Sequence, residues 1–137
     1  MSARAIILTL CAVAALQGRT ISFNRDIRPI MSDTCFLCHG PDKNTRMAGL
    51  RLDIREEALK TTKSGVTPIV PGKPEQSAVV ARVLASNPAR IMPPSFSHKE
   101  LTAAQKEKFR KWVEEGAEYE SHWAYAPVTK PEVPNVP

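Results

Sequence analysis

The chain has 137 residues, of which 42% are hydrophobic and 24% are charged, and its formal net charge is +5. This length fits one domain with a core of marginal size. Twelve prolines and few aromatic residues indicate loops and short helices rather than a large aromatic core. The positive charge forms no basic run with interleaved aromatic residues, so nucleic acid is not expected as a partner.

Residues 1–18 have the pattern of a secretory signal peptide. Arg4 supplies a positive start, and Ala5 to Leu16 form an apolar run that is too short for a membrane span of about 20 residues. We therefore expect a periplasmic or otherwise exported protein, attached to a membrane only if this segment is not cleaved. Removal of Cys11 with the signal would leave two cysteines.

A first helix is predicted before residue 35. Its apolar positions share one helical face and are Phe23, Ile27, Ile30 and Met31. Pro29 is tolerated only in the first turn of a helix, so Asn24 or Asp26 is the predicted N-cap. The helix would then run directly into residue 35.

The next five residues, Cys35-Phe36-Leu37-Cys38-His39, form a Cys-x-x-Cys-His motif. This spacing is typical of c-type haem attachment, because two thiols three positions apart on a helical turn can each bond one vinyl group of a porphyrin. A histidine beside the second thiol then lies under the iron as its proximal ligand. The motif therefore predicts haem c bound through Cys35 and Cys38, with His39 on the iron.

Three other interpretations of this motif explain less. A structural zinc site needs two more ligands at finger-like spacing, and the other histidines, His98 and His122, lie far apart in the sequence. A thioredoxin-type redox pair needs a strand-helix-strand setting that the sequence does not show. A simple disulfide leaves His39 without a role.

Two short features follow the motif. Asp53 and Glu56 form a predicted capping pair for a helix over residues 54–60. Arg46 and Arg51 are candidates to meet the carboxylates of a haem, with solvated surface positions as the alternative. A further helix is predicted over residues 77–85. Its apolar positions are Val79, Val80, Val83 and Leu84.

The segment Ile91-Met92-Pro93-Pro94 is the second candidate site. A proline disfavours helical backbone in the residue before it, so Met92 is predicted to be extended in a stiff loop. A methionine sulfur there suits the second axial position of a haem iron, where it raises the reduction potential. An ordinary core methionine is the alternative. His98 is the competing ligand, and it would lower the potential.

The last helix has the clearest local signals. Thr102 and Gln105 form a predicted capping box, and Gly116 ends the helix. Its apolar face consists of Phe109, Trp112 and Val113. We expect Trp112 to pack on the first helix. Residues 121–137 are first aromatic and then proline-rich, which predicts a tail or linker.

With these motifs in view, the chain resembles the cytochrome c superfamily, and more narrowly the planctomycete-type cytochrome c domain found at the start of large exported proteins. The matching segments are Phe23 to Ile30, Cys35 to Asp42, Leu50 to Asp53, Val70 to Pro74, Met92 to Pro94, Trp112 with Gly116 and Ala117, and His122 to Tyr125. The resemblance implies a small all-α cytochrome c-like fold over residues 20–120, with a few short helices and long loops around one haem. It also implies attachment at Cys35 and Cys38 and axial ligation by His39 and Met92.

These observations predict an exported protein that transfers single electrons through one His/Met-ligated haem and exchanges them with redox partner proteins. A haem with both axial positions filled binds no substrate, so the chain is not expected to be an enzyme by itself. Two alternatives remain open. The chain could be the redox input module of a larger oxidoreductase, or a haem-based sensor in which Met92 gives way to a gas molecule.

Overall fold

The computed structural model describes residues 20–125 and 127–128. These residues form helices and loops. Within those residues there is no strand, and the α-helices are α1 (Arg28–Thr34), α2 (Phe36–His39), α3 (Arg55–Leu59), α4 (Ala78–Val83) and α5 (Ala103–Glu114). Single turns of π or 3-10 helix occupy Phe23–Ile27, Pro74–Gln76, Ser95–Ser97 and Trp123–Tyr125. The predicted all-α fold of short helices and long loops is confirmed.

Two predicted segments fall largely outside the described residues. They are the signal peptide at residues 1–18 and most of the tail at residues 121–137. Across the described part of the chain, none of the helices has the length and apolar character needed to cross a bilayer.

The first helix begins earlier than predicted. Ser22, and not Asn24 or Asp26, is the N-cap, since its hydroxyl accepts a hydrogen bond from the backbone N–H of Arg25 at 3.4 Å. The Asp26 carboxylate accepts from the backbone N–H of Ser22 at 3.1 Å, so it closes the same cap from inside the helix. The sequence thus identified Asp26 as part of the cap, but the N-cap position itself belongs to Ser22.

The first turn, Phe23–Ile27, is a π-helical turn that leads into α1. The backbone N–H of Arg28 donates to the carbonyl of Phe23, five residues earlier. In a regular α-helix the ring of Pro29 would meet the carbonyl of Arg25, and a widened turn relieves that contact. The helix can therefore carry a proline without losing its apolar face. All four predicted apolar residues on that face, Phe23, Ile27, Ile30 and Met31, are buried.

The core is centred on three aromatic rings. The ring of Phe23 lies 5.5 Å from that of Trp112 and 4.3 Å from that of Tyr119, between centroids. The Trp112 indole N–H donates to the carbonyl of Glu118 at 3.0 Å, which satisfies the polar end of a buried side chain. The predicted contact between Trp112 and the first helix is therefore present, at Phe23.

The segment before α1 is joined to the segment after α5. The carboxylate of Glu115 accepts from the backbone N–H of Ile21 at 2.8 Å, and that of Glu120 accepts from Phe23 at 2.9 Å. The Asn24 side chain donates to the carbonyl of Ser121 at 2.6 Å. We call these contacts the terminal clasp.

The caps of the other helices differ in how well they were predicted. For α5 the capping box of Thr102 and Gln105 is confirmed, with both reciprocal hydrogen bonds present. The predicted capping pair of Asp53 and Glu56 is wrong, because Asp53 is bound by Arg51 and α3 begins without a side-chain cap. Helix α4 is shorter than predicted. It ends before Leu84, whose side chain is exposed.

We expect Trp112→Phe to lower the free energy of unfolding by about 1 to 3 kcal/mol, because it leaves the Glu118 carbonyl without its donor and removes ring volume from the core. Denaturant unfolding followed by far-ultraviolet circular dichroism measures this change. The control is Phe96→Ala, at a side chain that is 66% exposed. That variant should stay within about 0.5 kcal/mol of the unchanged protein. Equal losses in both variants would contradict the central role of the aromatic cluster.

Candidate functional site

A cavity of about 220 Å³ lies beside the Cys-x-x-Cys-His motif. Most of its lining side chains are apolar, and they come from well-separated segments of the chain. They are Cys35, His39, Ala48, Leu50, Leu52, Thr62, Ser64, Val66, Pro68, Ala78, Val79, Arg82, Val83 and Met92. The structure thus brings Cys35, His39 and Met92 to one cavity. Cys38, the fourth predicted site residue, is not among its lining residues.

The motif is carried by the end of α1 and by α2. The backbone N–H of Cys35 donates to Met31 at 2.8 Å, and the N–H groups of Cys38 and His39 both donate to the carbonyl of Cys35, at 3.1 and 2.8 Å. Residues three positions apart on such a turn lie on the same side of the helix. The two thiols are therefore neighbours one helical turn apart, as attachment to a single porphyrin requires.

Gly40 ends this turn, and its importance was missed in the sequence. A Cβ atom placed on Gly40 would lie 2.2 Å from the carbonyl oxygen of Phe36, which no real side chain can do. Only glycine therefore allows the chain to leave α2 this closely. The one sequence signal was its position, directly after His39 and directly before Pro41.

The imidazole of His39 lies in surroundings that disfavour its protonated form. Its Nδ1 atom is buried and has no hydrogen-bond partner among the described residues. Burial lowers the pKa of His39 below its usual value, and a contact with the backbone of Met47 acts in the opposite direction. A neutral imidazole keeps a lone pair for a metal ion. The main chain at this point is held by the N–H of Leu52, which donates to the His39 carbonyl at 2.8 Å.

The surroundings of Cys35 disfavour the thiolate form that redox catalysis needs. Cys35 and Cys38 are both free. Burial raises the pKa of the Cys35 thiol, although a contact of 3.3 Å with the Thr34 hydroxyl partly offsets this. Catalytic thiols need a lowered pKa. In residues 20–125 and 127–128, moreover, no three His, Cys, Asp or Glu side chains are grouped as a metal site.

Met92 and its competitor His98 occupy different surroundings. Met92 lines the cavity, and its backbone N–H donates to the carbonyl of Arg82 in α4 at 3.0 Å. His98 is exposed at the end of a 3-10 turn and does not line the cavity. Met31 is fully buried in the core, and Met47 is exposed. Among the described methionines and histidines, Met92 is therefore the one that lines the cavity together with His39.

The arginine that lines the cavity is neither of the two candidates from the sequence. Arg51 is paired with Asp53, through a contact of 2.7 Å between Nε and Oδ1 and a second, shorter one. Arg46 donates to the carbonyls of Gly40 and Pro41 at 3.0 and 2.7 Å. Neither lines the cavity, and Arg82 does. The two candidates therefore stabilise the loop after the motif.

Comparison with known protein families gives a match over the part of the chain that lines the cavity. Residues 35–95 match the family described as Planctomycete cytochrome C. This match supports a planctomycete-type cytochrome c domain over the matched segment. The match runs from Cys35 through the cavity-lining segments and past Met92, whereas the first helix and α5 lie outside it. No curated protein and no solved structure matches the chain significantly.

The matched family implies haem c binding, and the residues present fit that group. The site offers two free thiols one turn apart, a neutral imidazole with an unpartnered nitrogen, and a thioether at the same cavity. Thioether bonds use thiols of this spacing, and His and Met are the axial ligands of cytochromes c. The apolar lining suits a macrocycle that is mostly hydrocarbon.

We expect Gly40→Ala to reduce the fraction of protein that carries covalent haem. The added methyl group would force the α2 turn open. It would thereby change the distances of Cys38 and His39 from Cys35. Haem staining after denaturing electrophoresis measures the covalently loaded fraction. Gly72→Ala is the matched control, because Gly72 has a φ of +75° but nothing within 4 Å of an added Cβ. It should cost about 1 kcal/mol of backbone strain and leave haem loading unchanged. Equal loading of both variants would contradict the steric role of Gly40.

Proposed function

We propose that this protein is an exported one-electron carrier with a single haem c, attached at Cys35 and Cys38 and ligated by His39 and Met92. The observation that carries the proposal is the meeting of Cys35, His39 and Met92 at one apolar cavity, although Met92 is far from the motif in sequence. The family match supports haem-based electron transfer in general terms. The ligand set and the carrier role are our inference.

A bound haem c would supply a metal centre that changes oxidation state by one electron. His39 would hold the iron through an imidazole nitrogen and Met92 through its sulfur. An iron held by both residues would leave no place for a substrate, which favours electron transfer over bond-making chemistry. Apolar walls from α4 and from Leu50 and Leu52 would keep water from the metal and hold its potential above that of a solvated haem.

The surface beside Cys38 suits brief contact with a redox partner. Leu37 is 72% exposed and Met47 is 47% exposed. Leu37 precedes Cys38 in the chain, and the backbone N–H of Met47 donates to the carbonyl of Cys38 at 2.8 Å, so both residues adjoin this cysteine through the main chain. Small, weakly bound interfaces are typical of electron-transfer encounters. We infer that a partner protein approaches here, close to the thioether edge of the haem.

We expect Met92→Ala to keep the haem covalently bound while the near-red band of methionine-bound ferric haem disappears and the reduction potential falls. His98→Ala is the matched control, and both properties should stay unchanged because His98 is exposed and does not line the cavity. Ultraviolet-visible spectra and a potentiometric titration measure the two properties. A persisting band in Met92→Ala, or its loss in His98→Ala, would refute the ligand assignment. Carbon monoxide binding by the unchanged ferrous protein at neutral pH would favour the sensor instead.

We expect Cys35→Ala and Cys38→Ala each to leave at most one thioether bond, so that covalent haem retention is weakened in both and absent in the double variant. Haem staining of denatured protein and intact mass measure this after expression in a host that matures c-type cytochromes. His122→Ala serves as a control outside the motif. Full retention in the double variant would overturn attachment at these cysteines.

A further inference from the structure

We propose that Arg82 binds a carboxylate of the haem and thereby raises its reduction potential. The inference rests on the proposed function, since it needs haem in the cavity beside Cys35 and His39. It replaces the expectation that Arg46 or Arg51 plays this part, because both of those guanidinium groups are occupied elsewhere.

The argument begins with the chemistry of the ligand. A haem c is apolar over most of its surface and carries two carboxylates at the edge away from its thioether bonds. When the thioethers fix one edge at the Cys-x-x-Cys-His motif, the carboxylates must meet either water or donors at the cavity rim. Apart from the thiol and the imidazole of the motif, the polar side chains that line the cavity are Thr62, Ser64 and Arg82. A carboxylate needs donors of this kind.

Among these three, Arg82 is the strongest candidate. The hydroxyls of Thr62 and Ser64 lie 2.9 Å apart and bond each other, and Thr62 also contacts the carbonyl of Val66 at 2.8 Å. Arg82 carries a permanent positive charge, and among the described residues it forms no ion pair with a carboxylate. Its one side-chain hydrogen bond goes to the carbonyl of Arg90 at 3.3 Å. Four of its five donors remain for a ligand.

The position of Arg82 also ties it to the proposed axial ligand. Its carbonyl accepts the backbone N–H of Met92 at 3.0 Å, while its guanidinium reaches back to the loop that precedes Met92. Helix α4 is anchored by its buried residues Val79, Val80 and Val83. One residue on a fixed helix thus positions both the loop that carries Met92 and a positive charge at the cavity.

The charge predicts the direction of the effect. Ferric haem carries one more positive charge than ferrous haem, so a nearby guanidinium disfavours the ferric state and raises the reduction potential. Removing that charge should lower the potential. Because the hydrogen bond to Met92 uses the Arg82 main chain, replacing the side chain should leave methionine ligation intact.

The test compares Arg82→Gln, Arg82→Lys and the control Arg90→Gln, each as haem-loaded protein. We expect Arg82→Gln to raise the ratio of oxidised to reduced protein at least tenfold at a fixed ambient potential, which is about 59 mV for one electron. Arg82→Lys should recover most of the shift, and Arg90→Gln should change the ratio less than twofold. The near-red methionine band should persist in all three variants.

A direct readout of the contact is the resonance Raman bending vibration of the haem carboxylates. It should shift in Arg82→Gln and stay unchanged in Arg90→Gln. An unshifted vibration and an unchanged potential in Arg82→Gln, with covalent haem and the methionine band present, would overturn this inference alone. Loss of the methionine band in both Arg82 variants would also overturn it, because the residue would then act only on the loop. Absence of covalent haem from the unchanged protein would overturn the proposed function as well.

Discussion

The close approach of Gly40 to the carbonyl of Phe36 is the constraint on which the site depends. It lets α2 end immediately after His39. The two thiols and the imidazole then lie within a single helical turn. A longer exit from α2 would move the histidine relative to the cysteines, and the chemistry proposed for the motif needs all three in register.

The cavity depends on a core that lies largely outside the region of the family match. Phe23 in the first turn and Trp112 in α5 stack beside Tyr119, and the Tyr119 hydroxyl donates to the carbonyl of Leu52 at 3.0 Å. Leu52 lines the cavity. Burial raises the pKa of Tyr119 well above its usual value, so this hydroxyl remains a donor at physiological pH. The aromatic cluster therefore supports one wall of the site from behind.

Local signals explain most of what the sequence predicted correctly. The helical period of the residues from Phe23 to Met31 and the capping box at Thr102 each need only a few neighbouring residues to act, and both are present. The errors came from competition between neighbours. Asp53 could cap a helix, but Arg51 lies two residues away and binds it more strongly, since an ion pair with two hydrogen bonds outweighs one cap.

The site itself was only partly accessible to sequence reasoning. The motif specifies its own chemistry by spacing, but the cavity position of Met92 and the surface position of His98 depend on how a loop folds onto α4. Arg82 was missed because a charged residue on a short helix has the sequence pattern of a solvated side chain. Long-range packing is what places it at a cavity.

The terminal clasp has a mechanical consequence. Glu115 and Glu120 hold the backbone around Ile21 and Phe23, so the two ends of the described domain leave it side by side. Tension applied to both ends at once would load these few hydrogen bonds first. The residues that line the cavity lie between the two clasped segments in sequence. We therefore expect the tension to reach them only after the hydrogen bonds of the terminal clasp break.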